Sequence, residues 1–86
     1  MILAKLFRKR VSSSRELKLN STRTTLLREL YRGGSYNAVL AGCNQALIID
    51  LTNSELYLIR GLAKYRLGDL TGAGQDMKQA AHLSQK

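Results

Sequence analysis

An internal repeat constrains this chain of 86 residues more than any other feature of its sequence. The second half can be placed over the first without a gap, so that Tyr31 pairs with Tyr65 and Gly34 with Gly68. We call this constant shift, from Tyr31 to Tyr65, the repeat offset. Further pairs at the repeat offset are Tyr36 with Leu70, Ala46 with Ala80, and Ile49 with Leu83. The two halves therefore encode the same local structure, as repeat one (about 20–53) and repeat two (about 54–86).

The apolar pattern predicts two helices joined by a short turn in each repeat. In repeat two, the first helix is predicted from about Ser54, as its N-cap, to Leu67, and the second from about Leu70 to Leu83. Gly68 supplies the left-handed residue that ends the first helix, and Asp69 reads as the N-cap of the second. The expected inward-facing and close-packing positions are Leu56, Ile59, Gly61, Ala63, Leu67, Ala73, Met77, Ala80 and Ala81.

On these residues the chain resembles the tetratricopeptide repeat, a helix-turn-helix unit of about 34 residues. The matching positions of repeat two are Tyr57, Gly61, Tyr65, Leu67, Gly68, Asp69, Ala73, Met77, Ala80 and Leu83. Repeat one matches more loosely, at Tyr31, Gly34, Tyr36, Cys43, Ala46, Leu47 and Asp50. The departures from the family pattern are Arg23 for an aromatic residue, Leu27 for glycine, Val39 for alanine, and Leu51 and Gln85 for the closing proline.

The resemblance implies an all-α fold in which two such hairpins form a short α-solenoid over residues 21–86. The wording "RGLAKYRLGD" is also similar to repeats that are abundant in cyanobacterial proteins. Two repeats are fewer than a free-standing array usually needs, because each unit buries its face only against a neighbour. We therefore expect a weakly stable protein, a homo-oligomer, or a protein that docks on a larger assembly.

The net charge of +8 belongs mainly to the N-terminal third of the chain. Residues 1–28 hold eight basic side chains and one acidic one, whereas residues 29–86 hold six and five. Residues 1–20 form a basic arm whose cationic residues are Lys5, Arg8, Lys9, Arg10, Arg15 and Lys18. Within the arm, Ile2, Leu3, Leu6, Phe7 and Val11 fall along one side of a predicted amphipathic helix.

Four interpretations of the basic arm stay open from the sequence. It could pack on the repeats as a capping helix, lie on an anionic membrane surface, contact nucleic acid phosphates, or act as a cleavable organelle-targeting peptide. Its charges follow the apolar stretch, an order that argues against a secretory signal. The arm has only Phe7 as a ring for base stacking and no recognisable nucleic-acid module.

The sequence predicts neither catalysis nor a cofactor. Its one histidine, His82, is expected near the end of the last helix, and its one cysteine, Cys43, at a position that is usually buried. One cysteine allows no intramolecular disulfide, and no Cys/His spacing is typical of a zinc site. Asp69 falls in a turn and does not share a helical face with Asp76 as an acid and base pair would. No apolar run approaches the roughly 18 to 20 residues that a transmembrane helix needs.

The resemblance implies a recognition surface instead, because the concave groove of such arrays is lined by the first helix of each repeat. The implied groove positions are Ser21, Thr24, Arg28, Tyr31, Arg32, Glu55, Leu58, Leu62, Tyr65 and Arg66. Arginine can pair bidentately with a carboxylate and tyrosine offers rigid apolar area, so a peptide or helix with acidic character is the expected ligand. The two tyrosines could equally serve as packing residues. Chaperone-binding members of that family hold the terminal carboxylate of a peptide with lysines and asparagines. This chain has Thr24, Arg28, Leu58 and Ile59 in the corresponding region, so that activity is not expected.

The sequence thus predicts a non-catalytic adaptor or small assembly subunit that binds a partner protein through its helices. The alternative is a peripheral membrane-binding or nucleic-acid-binding protein that uses the basic arm, with the repeats as a scaffold. No small-molecule substrate, metal or cofactor is expected. The expected location is cytoplasmic. Contact of the arm with a membrane surface and organelle targeting by the arm stay open as alternatives.

Overall fold

The computed structural model describes residues 22–85, and these residues form four α-helices and no β-strand. Helix α1 covers residues 22–32, α2 Tyr36–Ile49, α3 Ser54–Arg66 and α4 Leu70–Ser84. The all-α prediction is confirmed, and the predicted ends of both helices in the second half agree to within a residue. No helix in this part of the chain is long and apolar enough to cross a membrane. The basic arm, residues 1–20, lies outside the described residues.

The turn after α1 and the turn after α3, which are related by the repeat offset, have the same backbone hydrogen bonds. Gly34 donates its N–H to the carbonyl of Tyr31, and Gly68 donates to Tyr65. The N–H of Ser35 reaches the carbonyl of Leu30 over 2.9 Å, and that of Asp69 reaches Lys64 over the same distance. These two bonds define a Schellman ending, which needs a left-handed residue. Gly34 has φ of +82° and Gly68 of +90°, so glycine closes both hairpins.

The helix caps agree with the sequence at α4 but not at α3. The Asp69 carboxylate accepts a hydrogen bond from the N–H of Gly72 at 3.0 Å, which confirms it as the N-cap of α4. At α3 the cap is Asn53, whose side-chain oxygen accepts from the N–H of Glu55, and Ser54 is the first helical residue. The prediction of Ser54 was wrong by one position because two residue types with good capping side chains are adjacent there.

The core joins α1, α2 and α3, and a second layer of small residues joins α3 to α4. The first cluster consists of Leu27, Val39, Cys43, Ala46, Leu47, Leu56, Ile59 and Ala63. Ala73 and Ala80 are buried on α4, as predicted. Leu67 and Ala81 were predicted to face inward, but both are exposed. Leu67 follows the last residue of α3, where the chain turns away, and no fifth helix among the described residues covers the outer side of α4 at Ala81.

Each hairpin closes at one place where a glycine faces a larger residue of the partner helix. A Cβ on Gly61 would lie 3.1 Å from Cβ of Asp76 and 3.2 Å from the carbonyl oxygen of Ala73. A Cβ on Gly42 would lie 2.5 Å from Cδ2 of Leu27. The repeat offset pairs Leu27 with Gly61 and Gly42 with Asp76, so the small member of the pair changes helix between the two hairpins. Leu27, which stands where the resemblance predicts glycine, is thus matched by Gly42 opposite it.

Candidate functional site

Helices α1 and α3 lie beside each other and form a groove, which we call the α1–α3 groove. Its volume is about 250 Å³, and it is lined by Arg28, Tyr31, Arg32, Glu55, Leu58, Ile59 and Leu62. Six of these residues belong to the predicted binding surface. The apolar part of the groove comes from α3, where Leu58 is 44% exposed at the surface and Ile59 is buried beneath it. The groove therefore combines an apolar wall with charged side chains on both helices.

Arg66 is not one of the lining residues, but it contacts Tyr31, which is. Nε of Arg66 donates a hydrogen bond of 3.1 Å to the hydroxyl oxygen of Tyr31, and its guanidinium carbon lies 5.9 Å from the centre of the tyrosine ring. This hydrogen bond raises the pKa of Arg66. The ring of Tyr36 lies 5.5 Å from that of Tyr31, tilted by 59°. Arg66 is thus held in place by Tyr31, while its terminal nitrogens have no hydrogen-bond or ion-pair partner among the described residues.

The other two arginines of the predicted surface already have acidic partners. Arg28 on α1 forms an ion pair with Glu55 on α3, across the groove. Arg32 pairs with Glu29 one turn earlier on α1, with 3.2 Å between Nη1 and Oε1. Both pairs are exposed, so each contributes little to stability. Their effect on recognition is larger, because a ligand carboxylate would have to compete with an internal one at Arg28 and Arg32 but not at Arg66.

The remaining predicted groove residues lie in different surroundings. Tyr65 is 58% exposed and does not line the groove, whereas Tyr31 is half-buried and packs against the core. The two tyrosines are therefore not equivalent, although they occupy the same place in their repeats. Thr24 is buried on α1, and Ser21 lies outside the described residues.

The sequence reasoning missed a buried ionic cluster between α3 and α4. The carboxylate of Asp76 is 5% exposed and accepts two hydrogen bonds from Arg60, at 2.8 Å from Nε and 2.7 Å from Nη2. The amine of Lys64 lies 3.1 Å from the same carboxylate. Arg60 also donates to the side-chain oxygen of Asn44 on α2 at 3.0 Å and lies over the ring of Tyr57. Arg60 of α3 thereby joins Asp76 of α4 to Asn44 of α2.

Two effects oppose each other in setting the pKa of Asp76. Burial of the side chain raises the pKa, but the hydrogen bonds from Arg60 and Lys64, together with their charges, outweigh burial and hold it below the usual value. The same hydrogen bond raises the pKa of Arg60. The signal in the sequence was the spacing of Arg60 and Lys64, which places two cations on one face of a helix four residues apart. The sequence did not show that Asp76 is the partner of these two cations, because the corresponding residue of the other repeat is Gly42.

The cysteine and the histidine do not form a reactive centre with other groups of the described chain. Cys43 is fully buried in the core, and burial raises the pKa of its thiol to about 11. The thiolate, which is the nucleophilic form, is therefore scarce at neutral pH. His82 lies on the last turn of α4. Among residues 22–85 no group of three or more His, Cys, Asp or Glu side chains is arranged to hold a metal ion.

Comparison of the chain with protein-family models, with curated proteins and with solved structures found no match. Any assignment of function therefore depends on the sequence and on the geometry of the described residues.

Proposed function

We propose that the two helical hairpins are tetratricopeptide-like repeats that form a short α-solenoid, preceded by a basic N-terminal arm. The support is the repeat offset, at which the backbone hydrogen bonds of the first hairpin turn recur in the second. Further support comes from the close approach at Gly61, a small residue at a position where the family has glycine. Asn44 of the first hairpin contacts Arg60 of the second, as stacked repeats require.

We further propose that the protein is a non-catalytic adaptor or small assembly subunit that binds a segment of a partner protein in the α1–α3 groove. The observation that supports this most is the combination of a partly exposed apolar wall, formed by Leu58 and Leu62, with an arginine that Tyr31 holds in place. Aromatic residues and arginine are enriched where proteins bind one another, because they offer large contact areas at a low cost in conformational entropy.

The charges of the groove narrow the expected ligand to a mainly apolar segment with one acidic side chain. Arg28 and Arg32 are neutralised by Glu55 and Glu29, so a strongly acidic peptide would gain less than the number of arginines suggests. Arg66 is the favoured contact for the ligand carboxylate because a planar guanidinium can donate two parallel hydrogen bonds to it. The ligand can be extended or helical, since both present side chains at spacings that fit a groove between two helices.

The alternative function, binding of membrane or nucleic acid through the basic arm, depends on residues outside the described part of the chain. No observation on residues 22–85 favours it, so it stays a prediction from the sequence. The same holds for the cytoplasmic location and for homo-oligomer formation.

Site-specific photo-crosslinking in the native host tests the proposal. A photoreactive amino acid is placed at Leu58, in the groove, or at Ile48, which is 77% exposed on α2 and does not line it. The lysate is treated with nuclease before the tagged protein is purified. We expect one protein species to be crosslinked from position 58 but not from position 48, and Arg66→Glu to abolish that product.

A second variant separates the groove from the arm. In the full chain, Lys5, Arg8 and Lys9 are replaced by glutamine, which removes three charges and leaves the groove intact. The groove model predicts that the crosslink at position 58 persists in this variant. If the variant without the three arm charges gives no crosslinked product, and only lipid or nucleic acid is recovered with the unmodified protein, the groove model is contradicted and the alternative is favoured.

A further inference from the structure

A second, larger groove lies between α1 and α2, and we call it the end groove. It has a volume of about 330 Å³ and is lined by Arg23, Leu26, Leu27, Leu30, Gly42, Gln45, Ala46 and Ile49. Leu26 is 59% exposed and Ile49 71%. Exposed leucine and isoleucine side chains that are contiguous along a groove usually mark a surface that another element covers.

In the second hairpin, the face that corresponds to the end groove is covered by the first hairpin. At the repeat offset, Leu26 and Leu30 correspond to Arg60 and Lys64, and Asn44 of the first hairpin contacts Arg60 there. The equivalent face of the first hairpin has no such cover among the described residues. At these two positions the first hairpin has leucines where the second has cations. The uncovered face is therefore the more apolar of the two.

The opposite end of the helical stack has a different character. Cys43 and Leu47 are buried where α2 faces α3, and at the repeat offset the corresponding residues of α4 are Met77 and Ala81. Met77 is half-buried and Ala81 is a small exposed residue, so little apolar area is available at that end. The two ends therefore differ at these equivalent positions, and the end groove has large exposed apolar side chains at Leu26 and Ile49.

We propose that the apolar side of the basic arm, formed by Ile2, Leu3, Leu6 and Phe7, docks in the end groove. The sequence before α1 contains 21 residues, and the groove begins at Arg23, on the first described turn of that helix. Residues 8–21 can span up to roughly 45 Å when extended, at about 3.3 Å per residue, which is more than enough to fold back over α1. The apolar stretch 2–7 would cover about 7.5 Å as a helix, and Leu26 to Leu30 covers about 6 Å, at about 1.5 Å per residue.

The amphipathic pattern of the arm also favours this occupant. Lys5, Arg8 and Lys9 fall on the other side of the predicted arm helix and would remain in water when the apolar side is docked. Arg10 falls on the apolar side, which limits the docking face to residues 2–7. Because the arm is tethered, its local concentration at the groove is high without any partner. An arm docked in this way cannot insert Phe7 into a membrane at the same time, so the two interpretations of the arm are mutually exclusive.

The rate at which a cysteine in the end groove reacts with a maleimide tests the docking. Ile49→Cys places a thiol in the groove, and Ile48→Cys places one on the adjacent exposed residue outside it. The native Cys43 is buried and reacts slowly, because the pKa of its thiol is raised to about 11. Each variant is made in the full chain and in a full chain that also carries Leu6→Glu, with circular dichroism to check the fold.

Docking predicts that Leu6→Glu accelerates labelling of Ile49→Cys by about tenfold and leaves Ile48→Cys unchanged, because only the groove position is protected by a docked arm. Equal rates with and without Leu6→Glu would overturn the proposal. If the thiol of Ile49→Cys is protected from labelling only at high protein concentration, where the protein is a dimer, the proposal is also overturned and the groove is assigned to a second copy. Protection that appears only with vesicles of anionic lipid would contradict it too. Hydrogen exchange of the Leu26 and Leu30 amides in the unmodified chain, compared with Leu6→Glu, gives the same answer without an added thiol.

Discussion

At the scale of single residues, Asp76 shows how a buried charge is retained between the two helices of the second hairpin. Its carboxylate has two hydrogen bonds from Arg60 and a third contact from Lys64, so the cost of burying it is offset by charged partners. Arg60 in turn reaches Asn44 on α2. The cluster therefore fixes how the first hairpin sits on the second, in addition to holding α3 against α4.

We expect Asp76→Asn to lower the free energy of unfolding by about 2 to 3 kcal/mol at neutral pH, because two cations then lose their partner in a buried place. The exposed pair of Glu29 and Arg32 provides a control, and Glu29→Gln should cost less than about 1 kcal/mol. Urea unfolding followed by circular dichroism measures both values. Equal costs for the two variants would contradict the assignment of Asp76 as a buried link.

The difference between the unmodified protein and Asp76→Asn should depend on pH. Because the pKa of Asp76 in the folded protein is lower than its usual value of 3.8, the carboxylate stabilises the fold fully above about pH 4. This contribution is lost as the pH falls further, through the lowered pKa of the folded state. The unfolding free energies of the two proteins should therefore converge at acid pH, and a difference that grows on acidification would contradict the linkage.

Glycine substitutions on the two helices of the second hairpin should have opposite effects. Gly61→Ala places a Cβ within 3.3 Å of three atoms of α4, so it should destabilise by about 1 to 2 kcal/mol despite the better helix propensity of alanine. Gly74→Ala meets nothing within 4 Å and should stabilise by about 0.5 to 1 kcal/mol. Melting temperatures of the two variants check the sign, and stabilisation by Gly61→Ala would show that the hairpin is packed less closely.

At the scale of helices and turns, the two hairpins end their first helix in the same way. Both turns use a left-handed glycine and the same pair of backbone hydrogen bonds, although the residues around them differ. The link between α2 and α3 is different. It contains no glycine and is closed by Asp50 and Asn53, whose side chains form a hydrogen bond of 3.0 Å. The left-handed glycine is thus a feature of the turn inside each hairpin, and the link between the hairpins is closed by side chains instead.

We expect Gly34→Ala and Gly68→Ala to destabilise the protein by similar amounts, about 1 kcal/mol each, because alanine is strained at positive φ. Gly33 is the matched control, since an alanine Cβ there would make only ordinary contacts and no positive φ is required. Gly33→Ala should therefore be close to neutral. Unfolding free energies of the three variants test the equivalence, which a large effect at only one of the two turns would contradict.

At the scale of the whole molecule, the parts that follow from local rules could be predicted from the sequence. Helix ends, Gly34 and Gly68 in the turns, and the Asp69 cap depend on residues close in the chain. Asp76 could not be assigned, because its partners belong to another helix. Leu67 was predicted to face inward but is exposed, because periodicity indicates which residues share a face and not what covers that face.

The predicted groove shows the same limit. The positions of the groove residues along α1 and α3 could be read from the repeat, and six of the predicted residues lie together. Their acidic partners and the contact between Arg66 and Tyr31 depend on side-chain geometry between helices. The ligand expected from the structure is accordingly less acidic than the one expected from the sequence.

The central claim is that the α1–α3 groove binds a protein segment, and Arg66 offers the most direct test. The partner segment identified by crosslinking is titrated with the unmodified protein, with Arg66→Glu, and with Lys78→Glu, which reverses a charge on the exposed part of α4. The account predicts that Arg66→Glu weakens binding by about tenfold or more, while Lys78→Glu changes it by less than about twofold. Equal affinities for all three proteins would contradict the claim.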